Sequence, residues 1–283
     1  CKLNISKYSI MKNISLTILL AGIFSFSSYS QEQVKLLKFK GVKADVGFAW
    51  DRYSDMSLDW IQQRTAQEGA FVGDLSGMEE GSIFYSSVGS NLGSQILFTA
   101  PSLGNETFIP EVRIGASMLL GKEAIVDYFD NNNSATNSLM YCFVENETRF
   151  SGEVVWRMLD QSRVTVYGGV GANLSASFGN ELFVFENYFN NRAVASNDFQ
   201  PVDFNSVQNT FDGKSVFYQR LYFPIDLYFK MLRHFQGTVE YKFGGGLEQV
   251  VGGEVSSFRT GEIQFGMRFN LARNNTPSIL DLF

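Results

Sequence analysis

The sequence predicts an all-β fold: an antiparallel up-and-down transmembrane β-barrel, with eight strands and long extracellular loops. Three observations predict it. Aromatic residues make up 15% of the 283 residues, while charged residues make up only 18%. Most of the chain alternates between apolar and polar side chains, which is the period of a β-strand. The mean hydropathy is nonetheless close to neutral, at -0.06, as expected where only every second residue faces lipid.

The N-terminal segment resembles a secretory signal peptide, so we exclude it from the fold. A short positive segment at 11–13 precedes an apolar run at 14–26, and the small residues Ser28 and Ser30 suit a signal peptidase that cuts before Gln31. The run is too short to be a spanning helix. The predicted segments are 1–30, the upstream residues and the removed signal peptide; 31–272, an outer-membrane β-barrel; and 273–283, a periplasmic C-terminal tail.

Seven segments alternate clearly enough to be predicted as strands. In the segment from Phe217 to Lys230, Phe223 and Leu227 lie on an apolar face, and Arg220 and Asp226 lie on a charged one. The other six segments lie at 42–51, 111–118, 145–158, 163–176, 235–243 and 262–271. Because bacterial barrels have even numbers of strands, an eighth strand is expected between Gly81 and Ala100, with 94–100 as its best piece.

The lengths of the connections predict the orientation of the barrel. The tight connections at 159–163 and 232–234 are expected to be periplasmic turns, which places both termini in the periplasm. The longer connections are rich in Gly, Asn, Asp and Ser and are expected to be extracellular loops. These predicted loops are Tyr53–Glu80, Gly121–Asn137, Gly179–Gly213 and Gly244–Ser257.

A soluble β-sandwich or lipocalin-like barrel would show the same alternation, with its apolar face buried as the core. Two features favour lipid as the environment of that face. Large aromatic residues such as Trp50, Phe150, Trp156 and Phe269 lie near strand ends, as in interfacial aromatic girdles. The polar parity mixes charges with glycines, which suits a narrow lumen. We therefore predict that the apolar parity faces outward.

The last predicted strand carries a sequence similar to the β-signal of outer-membrane proteins. Gln264, Gly266, Phe269 and Leu271 occupy its polar, glycine and two apolar positions. On this basis the chain, from about Val42 to Leu271, resembles the OmpA/OmpX-like class of small outer-membrane barrels, of Bacteroidota type. The resemblance implies a bacterial outer-membrane location and insertion by the barrel-assembly machinery. The sequence departs from many members by continuing past the last strand.

An eight-stranded barrel is only wide enough for its interior to be filled by side chains. Charges enclosed there are costly unless they pair, so we interpret the inward charges as a structural ion-pair network, and a constitutive porin is disfavoured. The predicted lumen network comprises Glu111, Arg113, Glu145, Glu147, Arg149, Glu153, Arg157, Arg163, Arg220, Asp226, Lys230, Glu240, Lys242, Glu262 and Arg268.

The sequence offers no convincing catalytic, cofactor or metal site, and we predict that the protein is not an enzyme. His234 is the sole histidine, and it falls at a predicted periplasmic turn, whereas barrel enzymes that modify lipids use a histidine at the outer-leaflet end. No Cys/His group has metal-binding spacing, and Gly244–Gly246 lacks the context of a phosphate-binding loop. The net charge of -6 argues against a nucleic-acid partner.

The third predicted extracellular loop is unusually aromatic, which is typical either of a partner-binding surface or of a loop that packs on itself. Its aromatic residues are Phe183, Phe185, Tyr188, Phe189, Phe199, Phe204 and Phe211. Our leading hypothesis is a structural or accessory subunit that binds envelope proteins or ligands through such loops. The alternatives are a channel for small or hydrophobic solutes, as in OmpW-like barrels, and a lipid-modifying barrel enzyme. The expected partners are outer-membrane lipid, the assembly machinery during insertion and other envelope proteins.

Overall fold

A computed structural model of the chain describes residues 37–54, 56–67, 78–80, 86–103, 109–131, 135–190, 204–232 and 234–271. The predicted signal peptide and C-terminal tail lie outside these residues. The strands are β1 (Lys38–Tyr53), β2 (Glu79–Glu80), β3 (Ser86–Thr99), β4 (Glu111–Asn131), β5 (Ala135–Asp160), β6 (Val164–Asn190), β7 (Phe204–Asp212), β8 (Val216–Lys230), β9 (Phe235–Val250) and β10 (Val255–Asn270). A helix, α1 (Leu58–Arg64), and a 3₁₀ turn (Pro101–Leu103) complete the described elements.

Eight of these strands form a closed antiparallel ring. The ring runs β1-β3-β4-β5-β6-β8-β9-β10, and β10 pairs back with β1, for example Val46 with Phe265. The predicted eight-stranded barrel is therefore confirmed. The strand expected between Gly81 and Ala100 is β3, which is longer than the predicted piece because it also pairs with β1 from Ser86 onward.

The two ends of the barrel differ in how the strands are joined. At one end, which we call the turn end, short connections follow Asp160 and Lys230. At the other end, which we call the mouth, β4, β5 and β6 continue beyond the ring. There β7 pairs with β6 and β2 pairs with β4, which makes a five-stranded sheet. We call this sheet, formed by 122–131, 135–146 and 180–190 with β2 and β7, the extension.

Three of the predicted loops are wrong, because strands continue through them. Gly121 and Gly179 have φ angles of +58° and +59° and lie at register shifts in β4 and β6. A bulge of this kind inserts an extra residue and moves the alternation to the opposite parity. The apolar parity therefore faces inward beyond each glycine, and the strand goes on past the end of the predicted segment. In the third case, β9 continues through Gly244–Gly246 to Val250, and only 251–254 connect it to β10.

The apolar parity of the ring faces outward and the charged parity faces inward. Phe223 and Phe265 leave 53% and 50% of their surface exposed, whereas Arg113 and Asp226 are completely buried. This arrangement is the reverse of a soluble barrel, in which the apolar residues would form the core. None of the described helices is long and apolar enough to cross a bilayer.

Candidate functional site

The interior of the ring near the turn end is built around Arg113. Its guanidinium lies 2.9 Å from Glu111, 3.3 Å from Glu153 and 2.7 Å from Asp226, and all four side chains are buried. These residues come from β4, β5 and β8, so the ion pairs connect strands on opposite sides of the ring. Such charges are stable inside a protein only when each one has partners.

A second ionic group lies nearer the mouth and is centred on Lys122 and Arg220. Lys122 Nζ lies 2.9 Å from Asp51, 2.8 Å from Glu145 and 2.9 Å from Glu147. Arg220 contacts two of the same acids, at 2.7 Å from Asp51 and 2.9 Å from Glu147. Each cation therefore bridges acids from different strands, and the group fills the cross-section of the barrel at this height.

The structure places twelve of the fifteen predicted network residues inside the ring, where they are buried. These are Glu111, Arg113, Glu145, Glu147, Arg149, Glu153, Arg220, Asp226, Glu240, Lys242, Glu262 and Arg268. The prediction omitted Lys43, Asp45, Asp51 and Lys122, which are buried in the same interior. The first three lie on the polar parity of the first predicted strand and could have been found there. The prediction missed Lys122 because it follows the bulge at Gly121, where the parity that faces inward changes.

Three predicted network residues do not belong to the interior. Arg157, Arg163 and Lys230 lie at the turn end and are exposed to solvent. Arg157 and Lys230 share the carboxylate of Asp160, at 3.0 Å and 2.8 Å, outside the buried group. The prediction was wrong for them because simple alternation carries no information on where the ring ends, and a register shift near Arg157 also interrupts the parity.

The mouth is filled mainly by apolar side chains. The helix α1 enters it and buries Trp60 and Ile61, and Met56 is buried just before the helix. A helix of seven residues has little stability alone, so packing against the barrel must hold it. The apolar cluster around it comprises Tyr53, Ala124, Val126, Leu139, Tyr141, Phe143, Leu182, Val184, Val216, Tyr218, Val250 and Phe258.

The end of α1 is fixed by Arg64, which is buried in the mouth. Its guanidinium forms an ion pair with Glu248 and lies 3.4 Å from the centre of the Trp60 ring. Burial by itself would lower the pKa of Arg64, but the neighbouring Glu248 carboxylate raises the pKa above the ordinary arginine range. Backbone bonds hold the following residues, since Ala66 N donates to Asp212 O at 2.9 Å. The ion pair and the backbone bond therefore hold α1 in the mouth, which it blocks.

The change from ionic to apolar lining occurs at the two bulges. Before Gly121, β4 directs Glu111 and Arg113 inward, and after the bulge it directs Ala124 and Val126 inward. Asn146 on β5 lies between the bulges, and its Oδ1 accepts a hydrogen bond from Gly121 N at 2.9 Å. On β4 and β6 the bulges therefore turn the apolar parity into the interior, close to the height at which the lining changes.

The described part of the predicted aromatic partner-binding loop is a strand pair, so its description as a loop was wrong for these residues. Phe183, Phe185, Tyr188 and Phe189 belong to β6, and Phe204 and Phe211 belong to β7. Phe199 lies outside the described residues. Phe211 packs against the apolar cluster of the mouth, while Phe183 and Phe185 are half-buried on the other face of the sheet. The bulge at Gly179 hid this continuation of β6.

The predicted β-signal residues lie in, or directly after, the last strand of the ring. Gln264, Gly266 and Phe269 are in β10, and Leu271 follows it directly and is exposed. Gln264 points inward and donates a hydrogen bond to Glu262. These positions are those of a final barrel strand, and their role as an assembly signal stays a prediction.

The single histidine lies at the turn end and belongs to neither ionic group. His234 is exposed, and its Nδ1 lies 3.2 Å from the Asn270 carbonyl oxygen. Within the ranges that the structure describes, no group of three or more His, Cys, Asp or Glu side chains could hold a metal ion.

Comparison with known proteins yields matches among solved structures only. No family model matches the chain, and no curated protein matches it. Ail of Yersinia pestis is 12% identical with a TM-score of 0.27, covering 81% of this chain and 98% of Ail. OprG of Pseudomonas aeruginosa is 10% identical with a TM-score of 0.38, covering 85% and 100%. Neisserial surface protein A is 14% identical with a TM-score of 0.28, covering 82% and 97%. At these values the matches assign no ligand, partner or activity to this chain.

Proposed function

We propose that this chain is a closed, non-enzymatic β-barrel of the bacterial outer membrane that acts as a structural or accessory subunit. In this proposal the mouth and the extension face the exterior, and both termini lie in the periplasm. The observation that supports it is the combination of a doubly blocked interior with a sheet that projects beyond the barrel. We retain the Bacteroidota type as part of the same proposal.

The outer surface of the ring supports a membrane location. On β8, apolar side chains face outward at every second position from Phe217 to Phe229, apart from Gln219. Twelve residue steps at about 3.3 Å give roughly 40 Å along the strand. A tilt of about 45° reduces this length to roughly 28 Å, close to the thickness of a bilayer's hydrocarbon core.

The blocked interior supports a role other than solute transport. A solute entering the mouth meets α1 and its apolar cluster, and then the ion pairs around Lys122 and Arg113. The extension, in contrast, offers exposed apolar side chains, among them Ile125 and Phe129 at 39% and 38%. Apolar residues on a projecting sheet are a suitable docking surface for another envelope protein.

The docking role can be tested by cross-linking in native membranes followed by purification of the barrel. The double variant Ile125→Asp/Phe129→Asp is expected to lose the cross-linked protein that the wild type retains. Val251→Asp is the matched control, because Val251 is an exposed apolar residue in the turn between β9 and β10, outside the extension. A wild-type barrel without any cross-linked protein, or equal capture by all three proteins, would contradict the role.

The channel alternative is decided by conductance in planar bilayers. The blocked interior leads us to expect no steady conductance from the purified wild type. A stable open level would favour the OmpW-like alternative over the accessory role.

The enzyme alternative is tested with the variant His234→Ala. We expect unchanged envelope lipids, because the histidine is exposed at the turn end and its ring lies within hydrogen-bond distance of only the Asn270 carbonyl among the residues described. Altered lipid composition in this variant would support a lipid-modifying activity.

A further inference from the structure

Two arginines face each other on the outer surface of the barrel near the mouth. Arg52 on β1 lies directly opposite Arg259 on β10, and both side chains are exposed. Like charges in directly opposite positions of a sheet repel each other. Among the residues for which the structure gives a placement, neither arginine has an ion-pair partner. Within the described residues the pair therefore has a deficit of negative charge.

The neighbours of this pair are small and leave space around it. Ser86 on β3 lies opposite Arg52, and Gly245 on β9 lies opposite Arg259, so one row crosses four strands. Neither Ser86 nor Gly245 carries a negative charge that could neutralise a guanidinium. The row is therefore an open, positively charged strip on the barrel wall.

The next row towards the middle of the barrel is apolar and aromatic. It consists of Val88, Trp50, Gly261 and Phe243 in paired positions on the same four strands. The Trp50 ring lies so close over Gly261 that a Cβ there would come within 2.4 Å of it. The Tyr241 ring lies 6.3 Å from that of Trp50 and 5.9 Å from that of Phe243. These rings form a continuous surface, which we call the aromatic shelf.

The arginine row lies one step of two residues beyond the aromatic shelf, about 6.6 Å along the strands. Trp and Tyr concentrate where the hydrocarbon of a bilayer meets its headgroups. If the shelf marks this boundary, the guanidinium groups of Arg52 and Arg259 lie at the level of the headgroups, where phosphate is the common anion.

We propose that Arg52 and Arg259 together bind the phosphate group of a lipid whose acyl chains lie along the aromatic shelf. A guanidinium can donate two parallel hydrogen bonds to a phosphate, so two of them hold one phosphate from both sides. The bound phosphate removes the repulsion between the arginines. This inference rests on the proposed function, because it requires the outward apolar face of the ring to contact lipid.

The turn end shows a pair of exposed cations whose charge is balanced in another way. Arg157 and Lys230 are also exposed cations, but they share the carboxylate of Asp160 at 3.0 Å and 2.8 Å. Their charge is balanced within the protein. The Arg52–Arg259 pair lacks such a carboxylate among the described residues and adjoins a surface that suits acyl chains, which favours a lipid phosphate over free phosphate.

The site can be tested by native mass spectrometry of the full chain in a neutral detergent. Dimyristoyl phosphatidate and dimyristoylglycerol are the probes, because they differ only in the phosphate. The wild type is expected to retain one phosphatidate in preference to the diacylglycerol. The variant Arg52→Gln/Arg259→Gln is expected to bind phosphatidate about tenfold more weakly, which corresponds to roughly 1.4 kcal/mol. Arg163→Gln, an exposed arginine at the turn end, is the matched control and should bind as the wild type does.

Equal phosphatidate binding by the wild type and the double variant would overturn the site. Displacement of the lipid by an equimolar amount of inorganic phosphate would also overturn it, because the shelf would then contribute nothing. Insertion into phosphatidylcholine vesicles, followed by flotation, tests the proposed membrane location separately. If all variants float but phosphatidate binding is unchanged, only the phosphate site fails. If the wild type does not float, the proposed function fails.

Discussion

The two halves of the barrel interior are lined in opposite ways. Near the turn end and at mid-height, buried charges such as Arg113 and Glu147 fill the cross-section, whereas the mouth contains an apolar cluster around Trp60. The outer surface changes in the reverse sense, from apolar on the ring to mixed on the extension. The comparison teaches that alternating side chains can serve both regions. In the ring the apolar face is the outer one, whereas at the mouth apolar side chains line the interior.

One inserted residue in each of two strands produces this reversal. A strand has a side-chain period of two, so one inserted residue exchanges its faces. The bulges at Gly121 and Gly179 make this exchange on β4 and β6, on either side of Asn146. The apolar residues after the bulges can therefore pack on α1 instead of facing outward.

The largest expected effect is at the ionic half, from the variant Arg220→Met. It leaves Asp51 buried with Lys122 as its one cation, and Glu147 buried with Lys122 and Arg149. Loss of one partner from a buried ion-pair group costs about 3–5 kcal/mol. We expect the free energy of unfolding in vesicles, measured by urea titration, to fall by that amount. The control Arg163→Met changes an exposed arginine and should stay within about 0.5 kcal/mol of the wild type. Equal effects of the two variants would show that the network contributes no stability.

The variant Trp60→Ala tests the apolar half. It removes a buried ring that packs on Tyr53 and Phe143 and that stacks on Arg64. Removal of a buried tryptophan costs about 3 kcal/mol. Because the ring lies above the ionic groups, we expect local opening of the mouth with the barrel retained. Hydrogen exchange should therefore become faster in 56–66 and remain slow in β8 and β9. Faster exchange throughout the barrel would show that the two halves are one cooperative unit.

The variant Gly121→Ala tests the bulge that separates the halves. A Cβ at Gly121 would meet nothing within 4 Å, so the cost comes only from the positive φ of 58°. This conformation costs about 1–2 kcal/mol for an L-residue. Gly152→Ala is the matched control, because that Cβ also meets nothing within 4 Å and its φ is not in the left-handed region. The urea midpoint should fall for the first variant only, and an equal decrease in both would exclude the backbone strain as the cause.

The smallest expected effect is that of Asp45→Asn. Its only ion-pair partner among the described residues is Lys43, at 3.8 Å, and Lys43 is closer to Asp226, at 3.5 Å, and bonded to Glu240. Removal of this charge should change the free energy of unfolding by less than about 1 kcal/mol, because little attraction is lost and a desolvated charge disappears. The control Asp226→Asn removes a partner of Arg113 at 2.7 Å and should cost much more. A loss as large for Asp45 as for Asp226 would show that Asp45 is a full member of the network.

Much of the fold could be predicted, because apolar and polar residues alternate along the strands and form the outer and inner faces of the barrel. Segments such as Phe217–Lys230 contain both the apolar outer face and the inner charges Arg220 and Asp226, so the orientation of each side chain followed from its parity. The same reasoning failed at Arg157, Arg163 and Lys230, since alternation does not indicate how far the closed ring extends. It also failed beyond Gly121 and Gly179, where the strands continue with their two faces exchanged and loops were predicted.

The rule that bacterial barrels have even numbers of strands supplied the eighth ring strand. The sequence by itself determined the strand class and the face that most ring side chains occupy. It did so because these properties depend on neighbours two residues apart. Only the tertiary structure decided that Arg113 reaches Asp226, that α1 closes the mouth and that Arg52 meets Arg259. These contacts join residues far apart in the chain, and they depend on the register between strands and on the closure of the ring, which no local pattern specifies.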